Sequence, residues 1–307
     1  MGTGGIASTR NAVAICSRSL KLSTFALASL VVLVAGQLSA ARAHGVFHIF
    51  SPMVEEGAWD AEALSAFQFG LAANAAHSGQ DPHDHQDGTD AHDHDAARAA
   101  HEFAIHGGVT SFWMTKLALS AEKAAGESYE LSSVALENVF RLPRSNPGPG
   151  DWGWFTAVRA GVNSSETNTV EFGPIVSLSS GPVTLTLNPF FAKTFGRNRE
   201  DGVAFSYGWR ATYEIHERLS LGLEGYGEIE DIASAPEVSE QVHRVGPVLY
   251  IGHVHGTPHH HDENETGHLG QTHGGHEDGL HAEIGVLFGV TQATPDAALK
   301  VNLGMDF

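Results

Sequence analysis

Fifteen of the chain's 20 histidines fall in two short tracts, 77–101 and 253–281. The first sets His83-Asp84-His85 and His92-Asp93-His94 among further aspartates. The second holds His253-Val254-His255, the run His259, His260 and His261, and then His273 and His276. An imidazole that is neutral near pH 7 donates nitrogen to Zn, Ni, Co or Cu(II), and neighbouring carboxylates add charge and orient the rings. In an extended segment His-x-His puts both rings on one side of the chain, so two such pairs can close a four-coordinate site. The candidate metal ligands are therefore His83, Asp84, His85, His92, Asp93, His94, His253, His255, His259, His260, His261, His273 and His276. The ion is a divalent transition metal, and nothing in the residues chooses among the four. Tracts of Gly, Asp, His and Thr also serve as solvated spacers, because they bury too little apolar area to fold. Such tracts suit capture or buffering of metal better than rigid catalysis, since a flexible loop loses entropy when it organises a site.

The rest of the composition narrows the setting. With 17 Lys+Arg against 36 Asp+Glu the formal charge is −19, which repels nucleic acid and favours cationic partners. One cysteine excludes a disulfide framework, a four-cysteine zinc site and an iron–sulfur cluster. No G-x-S-x-G, H-E-x-x-H or P-loop occurs, so the sequence carries no enzymatic motif.

Residues 1–43 contain no acidic residue, and Arg10, Arg18 and Lys21 precede the apolar run Phe25 to Val34. That run is short for an anchored helix and is followed by Ala41-Arg42-Ala43, so it reads as a signal peptide cleaved before His44. Cleavage leaves 264 residues at net charge −23, with every histidine retained and Cys16 lost.

What positions the tracts is a series of strands. From about Ala61 onward no segment has a 3.6-residue period, whereas period-two alternation recurs roughly every dozen residues. In Val203 to Ile215, the residues Val203, Phe205, Tyr207, Trp209, Ala211, Tyr213 and Ile215 share one face, opposite Ser206, Gly208, Arg210, Thr212 and Glu214. The polar faces carry Gly, Ser, Thr and scattered charge, while Trp152 and Trp154 join the apolar set. This fits lipid outside and a polar lumen inside better than a soluble sandwich.

The spacing predicts strands over Ala61–Leu71, Glu102–Gly108, Trp113–Lys123, Tyr129–Leu142, Trp152–Val162, Val170–Leu178, Val183–Phe191, Val203–Ile215, Leu219–Ile229, Val242–Ile251, Ala282–Val290 and Ala297–Phe307. The expected fold is all-β: an antiparallel transmembrane β-barrel of about 12 strands, spanning 44–307, with His-rich loops at 77–101 and 253–281. Its expected lumen carries Lys116, Glu122, Arg159, Glu171, Arg210, Glu214, Glu224, Glu228, Arg244, Glu283 and Lys300, with opposite charges pairing across it. Counting back from a periplasmic Phe307 puts the second tract on the periplasmic side, where connections are normally short. Either the tracts face opposite sides or one strand is miscounted.

The terminal strand, with Phe307 last and apolar residues at alternate positions, is similar to the assembly signal that bacterial outer-membrane barrels present to the barrel-assembly machinery. The stretches Leu136-Glu137-Asn138-Val139-Phe140, Glu171-Phe172-Gly173-Pro174, Arg244-Val245-Gly246-Pro247-Val248-Leu249-Tyr250 and Glu283 to Thr291 with Thr294-Pro295-Asp296 carry a family resemblance. The chain there resembles a group of largely uncharacterised proteobacterial outer-membrane β-barrel proteins, porin- or transporter-like. The resemblance spans roughly 100–307 and implies fold, outer-membrane lipid as surroundings and no catalytic residues. The His-rich insertions depart from it. The functional expectation is a barrel that binds divalent metal for transport or capture, and the alternative is a structural or general-diffusion barrel whose loops are spacers or buffers.

Overall fold

The computed structural model describes residues 46–70, 98–123, 128–143, 150–163, 166–252 and 279–307. The proposed signal peptide and the bulk of both tracts lie outside these residues. Twelve strands follow one another: β1 (Trp59–Phe69), β2 (Arg98–Thr110), β3 (Trp113–Lys123), β4 (Tyr129–Arg141), β5 (Gly150–Gly161), β6 (Asn168–Ser180), β7 (Val183–Phe195), β8 (Ala204–His216), β9 (Leu219–Ile229), β10 (Val242–Ile251), β11 (Leu280–Gly289) and β12 (Ala297–Asp306). Each pairs antiparallel with its chain neighbours, and β1 pairs with β12 from Asp60↔Asp306 to Phe69↔Ala297, which closes the barrel. In hydrocarbon an unpaired strand edge leaves backbone groups without water, and closure removes every edge.

Alternation sorts the wall. Leu117, Leu136 and Val158 lie side by side on β3, β4 and β5, facing outward, and each is about half exposed. Trp152, Trp154, Phe172, Tyr213, Leu221, Leu223 and Phe288 are also exposed outside. A water-soluble monomer does not carry so continuous an apolar surface, so this face belongs in lipid. Ring contacts run over it from Trp154 through Phe172, Phe191, Phe205 and Tyr207 to His243. The chain is a transmembrane barrel of outer-membrane type.

Connections 111–112, 181–182 and 217–218 are two residues long and lie at the end that holds both Trp59 and Asp306. Gly181 takes a φ of 56° in one of them, a left-handed conformation that glycine adopts without steric cost. By the usual rule of short turns this end is periplasmic. The connection after β1 leaves from the opposite end, and the one after β10 from the short-turn end. The strands that flank the two tracts therefore end at opposite sides of the barrel, and the count of twelve strands stands among the described residues.

The strands at the tracts run further than alternation indicates. β2 begins at Arg98 and β11 at Leu280, so His101 and His281 belong to the wall rather than to loops. His101 meets Ser65 Oγ at 2.9 Å and the Tyr129 hydroxyl at 3.0 Å.

The lipid-facing assignment is testable at Leu136, halfway along β4. Leu136→Arg is expected to lower the unfolding free energy by about 2–4 kcal/mol, read from denaturant unfolding out of lipid vesicles.

Candidate functional site

Ahead of β1, residues 46–58 run inside the barrel. They show neither strand nor helix period, and Phe47, Ile49, Phe50 and Val54 are all buried. Phe50 packs on Phe155 and Phe190, with ring centroids at 4.4 and 6.1 Å, in a cluster with Val54, Val139, Ala157 and Ile175. Phe47 joins Ala66, Val248, Tyr250, Leu287 and Ala298, and Arg244 lies over its ring at 4.6 Å. With no room for a strand ladder inside the wall, the segment's backbone borrows a side chain. The Phe50 amide donates to Asn188 Oδ1 at 2.6 Å, and Asn188 Nδ2 donates to the Phe50 carbonyl at 3.0 Å.

Inward glycines make space for the segment. A Cβ at Gly108 would overlap the Glu55 carbonyl, and one at Gly153 would press on Pro52. The Gly57 amide donates to the Gly108 carbonyl at 2.8 Å, and the Gly108 amide to the Ala58 carbonyl at 3.0 Å. Gly57, at a φ of 82°, turns the chain from the lumen into β1.

The rest of the lumen is charged, and the charges form two networks. In one, Lys116 Nζ lies 2.8 Å from Glu102 and 3.5 Å from Glu137, while Arg159 reaches Glu137 at 3.3 Å. In the other, Lys300 Nζ lies 2.8 Å from Glu224 and 2.7 Å from Glu283, and Arg210 reaches Glu283 at 3.4 Å. The Tyr226 and Tyr250 hydroxyls donate to the two oxygens of Glu224 at 2.6 and 2.8 Å. Burying these charges is costly unless each is paired, so the networks hold the wall in one arrangement. The inward positions expected from alternation are met, and opposite charges do pair across the lumen. His48 of the inner segment is held well below the ordinary imidazole pKa by burial, with Lys116 next in effect, and is neutral at pH 7.

At the short-turn end a third group gathers. Pairing sets Asp60 beside His106 on β2 and Asp306 on β12, and Glu62 level with Gly304 and, one strand on, His281. His106 Nε2 lies 3.2 Å from Asp60 Oδ2 and 3.6 Å from Glu62 Oε1. His281 Nε2 lies 3.4 Å from the same Asp60 oxygen. A cavity of about 100 Å³ opens here between the wall and residues 48–55 of the inner segment. Asp60, Glu62 and His106 bring ligand atoms within 4.8 Å of one another, as do Asp60, His281 and Asp306.

All thirteen ligands expected from the tracts, from His83 to His276, lie outside the described residues. The acids and histidine at Asp60, Glu62, Glu102, His106 and Glu137 are missing from the expected lumen. For Asp60 and Glu62 the signal is faint because β1 places the small, buried Ala63 and Ser65 on its outward face, which blurs the alternation. Segment 46–58 is likewise missing from the expected elements. Its cue is the aperiodic apolar run Val46 to Val54 with Pro52 inside it, ending in Glu55-Glu56-Gly57.

No family model and no curated protein matches the chain. Among solved structures, an outer-membrane channel from Pseudomonas putida F1 superimposes with a TM-score of 0.57 at 8% identity, covering 86% of this chain and 100% of that one. A KdgM porin gives a TM-score of 0.44 at 8% identity, covering 81% and 99%. The first likeness supports the barrel architecture alone, and the second adds no argument.

The inner segment's anchor makes a stability prediction. Asn188→Ala strands the Phe50 amide and carbonyl and is expected to cost about 1–3 kcal/mol. Phe50→Ala empties the aromatic cluster and is expected to cost about 3–5 kcal/mol, both measured by denaturant unfolding in detergent.

Proposed function

We propose that this chain is a porin-like outer-membrane channel whose lumen is closed by its own residues 46–58, and whose His-rich tracts capture divalent metal cations at its two mouths. The observation that carries the reading is the docked segment. Phe47 and Phe50 sit in opposite apolar patches of the lumen, between two networks of paired charge. A 12-stranded barrel lies between filled eight-stranded and open sixteen-stranded ones, so a segment of this bulk is enough to block it. A freely diffusing pore needs continuous water, and the inner segment stands in its place.

The metal-capture half of the reading rests on residue type. His-x-His pairs flanked by aspartate favour nitrogen-binding divalent ions, and the strands that flank the two tracts end at opposite sides of the barrel.

Planar-bilayer conductance tests closure. The full chain is expected to conduct weakly, and Phe50→Ala combined with Asn188→Ala to raise conductance several-fold. Steady wild-type conductance that the double variant leaves unchanged contradicts the reading. Calorimetry with Zn, Ni, Co and Cu(II) tests capture. Deleting 77–97 and 253–278 is expected to remove most of the readily exchanged ions, and unchanged binding refutes capture by the tracts.

A further inference from the structure

We infer that the lumenal cavity at the short-turn end is a divalent transition-metal site built by Asp60, His281 and Asp306, with Glu62 and His106 on the other side of Asp60. None of these residues belongs to the ligands read from the tracts, and the site stands whether or not the tracts bind metal.

The donor set fits the ion class. An imidazole beside two carboxylates favours Zn, Ni, Co or Cu(II) over Mg and Ca, which take oxygen alone. The spacing fits as well. Bonds of about 2.0–2.1 Å in a tetrahedral site place ligand atoms about 3.4 Å apart. Asp60 Oδ2 lies 3.4 Å from His281 Nε2.

Asp60 supplies an independent pointer. Its residue is only 1% exposed, and its Oδ2, turned toward both rings, has no hydrogen-bond partner. Its other oxygen is fixed by the Met305 amide, which donates to Oδ1 at 2.9 Å. A buried carboxylate is costly to strip of water, and a cation between Asp60 Oδ2 and the His281 ring nitrogen offsets that cost. Gly304 seats one ring, since a Cβ there would overlap the His281 imidazole.

The site's place in the fold gives it a consequence. Asp60 and Glu62 lie on β1, Asp306 on β12, His106 on β2 and His281 on β11, so a bound ion ties the strands whose pairing closes the barrel. Binding to the closed barrel alone stabilises it in proportion to occupancy.

The test uses the full chain in detergent, loaded with Zn(II) and then passed briefly over a chelating resin, so that exchangeable ions leave and an enclosed one stays. About one retained zinc per chain is expected, together with a rise in melting temperature on loading. Asp60→Asn and His281→Gln are each expected to abolish both, with circular dichroism and barrel mobility on gels unchanged. Co(II) in place of zinc is expected to give visible d–d absorption that the same variants lose. No retained ion in the wild-type chain overturns the site, as does equal retention in folded variants, which leaves a protonated His106 paired with Asp60 and Glu62 as the account of the cluster. Loss of only the exchangeable ions on tract deletion bears on the tracts and leaves this site intact.

Discussion

Everything in this molecule depends on the hydrogen bonds between β1 and β12. A membrane strand cannot leave its backbone unpaired, and one unclosed seam would expose ten residues of β12 to lipid. Closure forces a tilt and stagger, and these decide which side chains share a level inside. Asp60 and Asp306 meet because of that seam, and Lys300 sits level with Ala66 for the same reason. The interior chemistry is thus a product of register, and a one-residue slip would turn these charges toward lipid.

Closure also creates an interior that must be filled. The chain does so in two ways that depend on each other. Lys116, Arg159, Lys300 and Arg210 each bridge carboxylates of other strands, which makes the lumen too polar to collapse and too crowded to be open water. The remaining volume takes residues 46–58, whose apolar side chains need the aromatic and aliphatic patches around Phe155, Phe190 and Tyr250. Lys116 lies 5.5 Å from the Phe50 ring and touches both systems, so the segment and the charge network are packed as one unit.

Strand periodicity is the most legible layer of the sequence. β3, β9 and β10 begin and end where alternation places them, at Trp113–Lys123, Leu219–Ile229 and Val242–Ile251. The barrel, the outward aromatics and inward residues such as Arg210, Glu224 and Lys300 follow from the same period. β1 is less legible because its outward Ala63 and Ser65 are small and buried, so its inward acids do not stand out. The inner segment has no period at all, because its backbone is paired by Asn188 and Gly108 rather than by a ladder. His106 and His281 show why the wall cluster is silent in the sequence. A dense His tract is loud in composition, whereas two rings that each reach one buried aspartate from across four strands are visible only once the seam is closed.

The central claim is that residues 46–58 lie inside the barrel, and a designed disulfide tests it most directly. A Cβ built at Gly208 lies 3.4 Å from Ile49 Cγ1, so side chains at the two positions are in contact. With Cys16 replaced by serine, Ile49→Cys and Gly208→Cys are introduced together, and the protein is assembled in membranes without reductant. The account predicts that the pair oxidises spontaneously and that each single variant keeps a free thiol. A double variant whose two thiols both stay reduced and react freely with a bulky membrane-impermeant reagent would contradict it.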